Sequence, residues 1–149
     1  MTKPAMEHTV YLALGTNLGD KEGNILKAYN SIEERIGHIA RRSSFYRSAP
    51  WGFTSDNEFV NTVICCTTTL SPKQILDITQ DIEREMGRTM KSENGVYHDR
   101  IIDIDILIYD DARINEPSLT IPHPLMKERP FVMIPLKEVI DDSNGRLVF

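Results

Sequence analysis

The order of segments in this chain predicts an α+β protein with the ferredoxin-like βαββαβ arrangement: an antiparallel sheet, two helices on one face, and a Pro-rich C-terminal segment. Two segments repeat apolar residues at spacings of three and four, as amphipathic helices do. Four short segments between and around them are apolar and rich in β-branched residues, as strands are. The last third holds five prolines, Pro117, Pro122, Pro124, Pro130 and Pro135, which bar long regular elements there.

The elements follow in order. Val10–Leu14 is a buried strand ending at Gly15. Asp20 caps a helix whose apolar positions are Ile25, Ala28, Tyr29, Ile32 and Ile36, and Gly37 ends it. Ile39–Arg47 is a weak second strand, and Ala49–Asn57 is a loop of turn formers. Phe59–Leu70 is the third strand. Ser71, Pro72 and Gln74 form a capped helix start, Ile75, Ile78, Ile82 and Met86 give its buried stripe, and Gly87 stops it. Residues 88–100 lack any period and form a loop. Ile101–Tyr109 is the fourth strand, and Leu136–Ile140 suits a short helix.

The 149 residues fit a single domain, 1–149, with one sizeable core. A net charge of −5 argues against general nucleic-acid binding, which needs a basic surface. Cys65 and Cys66 are adjacent, so in a strand they point to opposite faces and read as two buried thiols. No segment reads as a signal peptide or a membrane span. A cytoplasmic monomer is the expectation.

The strongest chemical signal is Ile101-Ile-Asp-Ile-Asp-Ile-Leu-Ile-Tyr109. Alternation along a strand puts Asp103 and Asp105 on one face and Ile102, Ile104, Ile106 and Ile108 on the other. Two like charges on neighbouring same-face sites repel, and a cation relieves that. Mg²⁺ suits one or two carboxylates plus phosphate oxygens and water. The bland alternative is a solvated strand face. From Arg84 to Arg100, four cations stand against three carboxylates (Glu85, Glu93 and Asp99), a positive balance in an acidic chain. Such a segment either neutralises a triphosphate or is a solvated loop. His123 and Arg129 lie in a proline-stiffened stretch that either presets them for a ligand or forms a surface turn. Asn61, inside an apolar strand, needs partners: a heterocycle's donor and acceptor edge, or backbone. Trp51, Phe53, Phe59 and Phe131 offer flat faces or plain core. Gly15-Thr-Asn-Leu-Gly19 lacks a P-loop ending and reads as a turn.

Six motifs in this order resemble the 6-hydroxymethyl-7,8-dihydropterin pyrophosphokinases of folate synthesis. They are Gly15–Gly19, Phe45–Gly52, Phe59–Asn61, Glu83–Arg88, Asp99–Asp105 and Pro122–Phe131, and the likeness runs from Tyr11 to about Val139. The resemblance implies transfer of pyrophosphate from the co-substrate ATP to a pterin alcohol. Two Mg²⁺ ions would sit on Asp103 and Asp105. Arg88, Lys91, Arg100, His123 and Arg129 would hold the nucleotide phosphates, with Arg88 and Arg100 among the catalytic groups. Thr120 and Ile106 would line the ATP site. Asn61 would bond the pterin edge, Phe59 and Phe131 would stack on its faces, and Ser48, Trp51 and Gly52 would complete that pocket. Gln80 and Glu83 would face the site. Met90, Tyr97, Phe59 and Ala49 depart from the residues usual in the family.

Overall fold

The computed structural model describes residues 6–49, 58–87 and 101–140. Trp51, Gly52, Arg88, Met90, Lys91, Tyr97 and Arg100 lie outside them.

Among the described residues the chain runs β1 (His8–Thr16), α1 (Lys21–Arg35), β2 (Gly37–Arg42), β3 (Tyr46–Ser48), β4 (Phe59–Thr68), α2 (Pro72–Glu85), β5 (Asp103–Tyr109), β6 (Ile114–Glu116), β7 (Leu119–Ile121) and α3 (Pro130–Val139). The main sheet has the order β2-β4-β1-β5, with β3 continuing the β2 edge against β4. All its pairings are antiparallel. This is the predicted arrangement. β6 and β7 form a separate hairpin.

Local chemistry sets the helix starts. Asp20 accepts the Gly23 N–H at 3.2 Å and begins α1. Ser71 and Gln74 exchange both bonds of a capping box at α2. Gly37 follows directly on the Ile36 C-cap, where the helix was expected to stop. It opens β2, where a Cβ would collide with the Thr67 carbonyl oxygen.

The expected strand Ile39–Arg47 is split in two. Ser43 takes the place of a ladder residue: its N–H reaches the Val63 carbonyl at 2.8 Å, and its hydroxyl accepts the Val63 N–H at 2.9 Å. The register slips by one residue between Arg42↔Ile64 and Tyr46↔Asn61, a local bulge that separates β2 from β3.

Two cores sandwich the sheet. α1 and α2 cover one face, packing Ile25, Ile32, Ile75 and Ile82 on Leu12, Leu14, Ile64, Ile104 and Ile106. α3, longer than the short helix expected and beginning at Pro130, packs on the other face. It packs Val132, Leu136 and Val139 on Tyr11, Val63, Cys65 and Leu107. The two cysteines point to opposite faces and form no disulfide. Burial, then the neighbouring Cys65, pushes the Cys66 thiol up to about 12.

Candidate active site

Among the described residues, the candidates meet on the second face of the sheet. β1 is central, and Gly15 pairs with Asn61 of β4 on one side and with Asp103 of β5 on the other. Directly paired residues of antiparallel strands share a face. Asn61 and Asp103 therefore flank a position with no side chain, and Asp105 follows beside Ala13.

The alternation predicted for β5 holds through Leu107 and then breaks. The register with β1 shifts between Tyr11↔Ile108 and Leu12↔Ile106, so Leu107 is an extra residue. Ile108, expected on the isoleucine face, instead joins Leu107 in the α3 core. The bulge matters for the site because the Leu107 carbonyl accepts the His123 N–H at 2.9 Å and docks the His123 turn beside the strand.

His123 then takes one tautomer. Its Nδ1 accepts the Leu125 N–H at 3.2 Å, so the neutral ring carries its proton on Nε2. Burial first, then the Arg129 guanidinium, hold its pKa below the usual 6.5, and Asp103 pulls it partly back. The sign follows from linkage. Below 6.5 the unfolded chain takes up a proton that the folded chain resists, so this contribution to stability is present above 6.5 and lost as pH falls through the folded pKa. An NMR titration of the ligand-free protein is expected to show a His123 midpoint below 6.5 with the proton on Nε2; a midpoint above it would contradict the buried, Arg129-facing setting.

Arg129, at the N-terminus of α3, brings Nη1 to 3.9 Å from Asp105 Oδ2, and its guanidinium lies 5.8 Å from the Phe131 ring centre. One cation thus links the aspartate pair to an aromatic wall.

Asn61 is 6% exposed. Its amide donates to the Tyr46 carbonyl at 3.0 Å and to Ser48 Oγ at 2.8 Å. Both donors are used within the protein, so what Asn61 can offer a ligand is the carbonyl Oδ1. That oxygen would lie 3.1 Å from a Cβ at Gly15, and the Phe59 ring 3.5 Å from it.

Glu83 is 7% exposed, and its Oε2 accepts the Ile104 N–H at 2.8 Å. Among the described residues β5 is an edge strand, and this carboxylate on α2 satisfies its outward donor midway between the two aspartates. Gln80, one turn earlier, is exposed. Ile106 is buried in the helix-side core, across the sheet from the aspartates. Thr120 is half-buried in the β6–β7 hairpin opposite Asn115. The structure brings together Asp103, Asp105, His123, Arg129 and Phe131 on one side, and Ser48, Phe59 and Asn61 on the other.

A family model described as 7,8-dihydro-6-hydroxymethylpterin-pyrophosphokinase matches residues 11–141. The chain belongs to this family. It is 48% identical over 131 residues to the 2-amino-4-hydroxy-6-hydroxymethyldihydropteridine pyrophosphokinase of Porphyromonas gingivalis, covering 87% of this chain and 89% of that one. The Bacillus subtilis protein of the same name is 36% identical over 135 residues, covering 90% and 79%. A crystal structure of Plasmodium falciparum HPPK-DHPS with pteroate is similar at a TM-score of 0.73 and 16% identity, over 93% of this chain and 42% of that one. At that identity the likeness shows the fold, and this chain spans about two fifths of that protein's length. Gly15, which the sequence marked only as part of the Gly15–Gly19 turn and motif, lies within β1 between Asn61 and Asp103.

Proposed function

We propose that Asp103 and Asp105 hold the Mg²⁺ that this pyrophosphokinase uses, and that Asn61, Phe59 and Phe131 hold its pterin. The activity itself comes with the family: transfer of pyrophosphate from ATP to the hydroxymethyl group of 6-hydroxymethyl-7,8-dihydropterin, in folate synthesis.

The observation that carries the site assignment is the pairing of Gly15 with both Asn61 and Asp103. Strands lie ~4.8 Å apart, so the amide and the aspartate stand about 10 Å apart across a bare backbone. A flat bicyclic ring can lie there with its amino edge at Asn61 and its hydroxymethyl arm at the aspartates. Asn61 Oδ1 accepts from ring N–H groups, the chemistry its two spent donors leave it. Phe59 and Phe131 supply faces for stacking, Ser48 stands beside Asn61, and Trp51 and Gly52 are assigned to the pocket from the sequence.

The aspartates also fit the metal. They share a strand face with like charges, are partly exposed, and leave most coordination positions to water and phosphate, as Mg²⁺ prefers. Among the described residues no group of three or more His, Cys, Asp or Glu side chains forms a complete protein cage. Two ions on this pair would neutralise phosphate oxygens and align the triphosphate.

The chain's own groups do the rest. Arg129 and the His123 Nε2–H point charge and a donor toward the phosphates, with Arg88, Lys91 and Arg100 assigned there from the sequence. Thr120 is assigned to the nucleotide side, whereas the Ile106 side chain, buried in the helix-side core, leaves only its backbone for that role. The hydroxymethyl oxygen attacks the β-phosphorus of ATP, with one aspartate near its hydroxyl, and AMP leaves.

Chromatography of products from ATP and the pterin alcohol tests this. AMP and a pterin diphosphate in equal amounts, lost on chelation and restored by Mg²⁺, is the expected result. Inorganic phosphate or pyrophosphate as the product, or full turnover after chelation, would sink it.

A further inference from the structure

The last turn of α3 is tied to the connection between β2 and β3 by a contact that neither core requires. Ser44 donates its N–H to Glu138 Oε1 at 3.1 Å, and its hydroxyl lies 2.9 Å from Oε1 and 3.0 Å from Oε2. One hydroxyl proton serves one of those oxygens at a time. The two residues are exposed and stand 94 positions apart.

Each partner leads to a wall of the pterin slot. α3 has 10 residues and is about 15 Å long. Arg129 and Phe131 occupy its N-terminal end, and Glu138 its C-terminal end. Pro135 lies between them and lacks the N–H that would bond the Phe131 carbonyl, so the helix ladder has a missing rung. On the other side, Ser43 anchors the connection to β4, and the chain continues into Tyr46 and Ser48, the two groups that orient the Asn61 amide.

We propose that the Ser44–Glu138 clasp is a positioning device that sets the spacing between the Phe131 wall and the Asn61–Phe59 wall. The proposal rests on the reading of those residues as the pterin slot. Glu138 and Ser44 touch no substrate in it; they act through α3 and β3. Because both are exposed, removing the clasp strands no buried charge, and the fold survives.

The test compares wild type with Glu138→Ala, Glu138→Gln, Ser44→Ala and Phe131→Ala, measuring kcat and KM for the pterin alcohol and the thermal midpoint. Glu138→Ala is expected to lower kcat/KM for the pterin about tenfold, mostly through KM. Its thermal midpoint should stay within about 3 °C of wild type. Glu138→Gln keeps an acceptor for both Ser44 donors and should retain most of the wild-type value. Ser44→Ala keeps the backbone bond and should fall between. A wild-type pterin KM in Glu138→Ala, an equal loss in the glutamine variant, or a loss that tracks the thermal midpoint would overturn the proposal. The two readings separate cleanly. If Phe131→Ala loses pterin affinity and Glu138→Ala does not, only the clasp falls. If Phe131→Ala keeps the wild-type KM, the slot reading fails and the clasp with it.

Discussion

Replacing Asp103 or Asp105 with alanine is expected to lower kcat by about a thousandfold or more, the range for losing a group that stabilises transition-state charge. Binding of the pterin alcohol should change by less than about threefold, because the slot between Asn61 and Phe131 does not depend on the carboxylates. The single asparagine variants should behave similarly, since they keep the shape and remove the charge. Stability separates this loss from misfolding. Two carboxylates on one strand face repel when no metal is bound, so removing either one relieves strain in the ligand-free protein. Thermal midpoints of the ligand-free variants are therefore expected at or above wild type. Asp105 carries one complication: Arg129 lies 3.9 Å from its Oδ2, and that partner is lost. Asp105→Ala should thus raise the midpoint by less than relief of the repulsion alone would. Steady-state kinetics, pterin titration and melting curves on four variants decide the matter. Near-normal turnover in both alanine variants would refute the metal assignment.

How far the sequence foretold this site depended on how local each cause was. The aspartate face was legible because strand alternation needs only two neighbours. The helices were legible because caps and apolar stripes lie within one segment. Ile108 was misread because the bulge at Leu107 arises from pairing with β1, and no local pattern marks it. The break at Ser43 has the same origin: a serine whose hydroxyl accepts a ladder N–H looks in sequence like any other strand residue. Asn61 was singled out as a buried amide in need of partners, but only the structure shows that Tyr46 and Ser48 take both its donors. That narrows its role from reading donors and acceptors to accepting alone. Glu83 was linked to the site by family likeness, and the structure gives it a partner in the Ile104 N–H. The proline-rich tail hid the first half of α3, of which only a short helix at Leu136–Ile140 was expected, because Pro130 is allowed in a first helical turn and Pro135 costs only one backbone bond there.

Gly15→Val is the second large effect expected, and it runs opposite to stability. The apolar run before Gly15 made it look like the start of a turn, yet it lies within central β1, opposite Asn61 and Asp103 at once. Glycine weakens a strand interior and β-branched residues favour it, so on fold grounds valine should be at least neutral. A glycine at such a place marks a close approach. Even a lone Cβ would come to 3.1 Å from Asn61 Oδ1 and 3.5 Å from the Phe59 ring, so alanine requires Asn61 to give by a few tenths of an ångström. Asn61 has little freedom to do so, since Tyr46 and Ser48 hold its amide. Valine adds two more carbons on the strip where the ring would lie between the amide and the aspartates. The expected result is a fall in kcat/KM for the pterin of about a hundredfold, as for displacements near an ångström at a reacting centre. Gly15→Ala should show a smaller fall, and ATP-analogue binding should be nearly unchanged in both. Kinetics beside melting curves give the check. A wild-type kcat/KM in Gly15→Val would mean that nothing lies over this glycine, and the slot would have to be placed elsewhere on the sheet. A lost fold would mean that the glycine serves packing alone. An intact fold with a lost pterin affinity is the outcome expected of a ligand seated beside Asn61 and over this glycine.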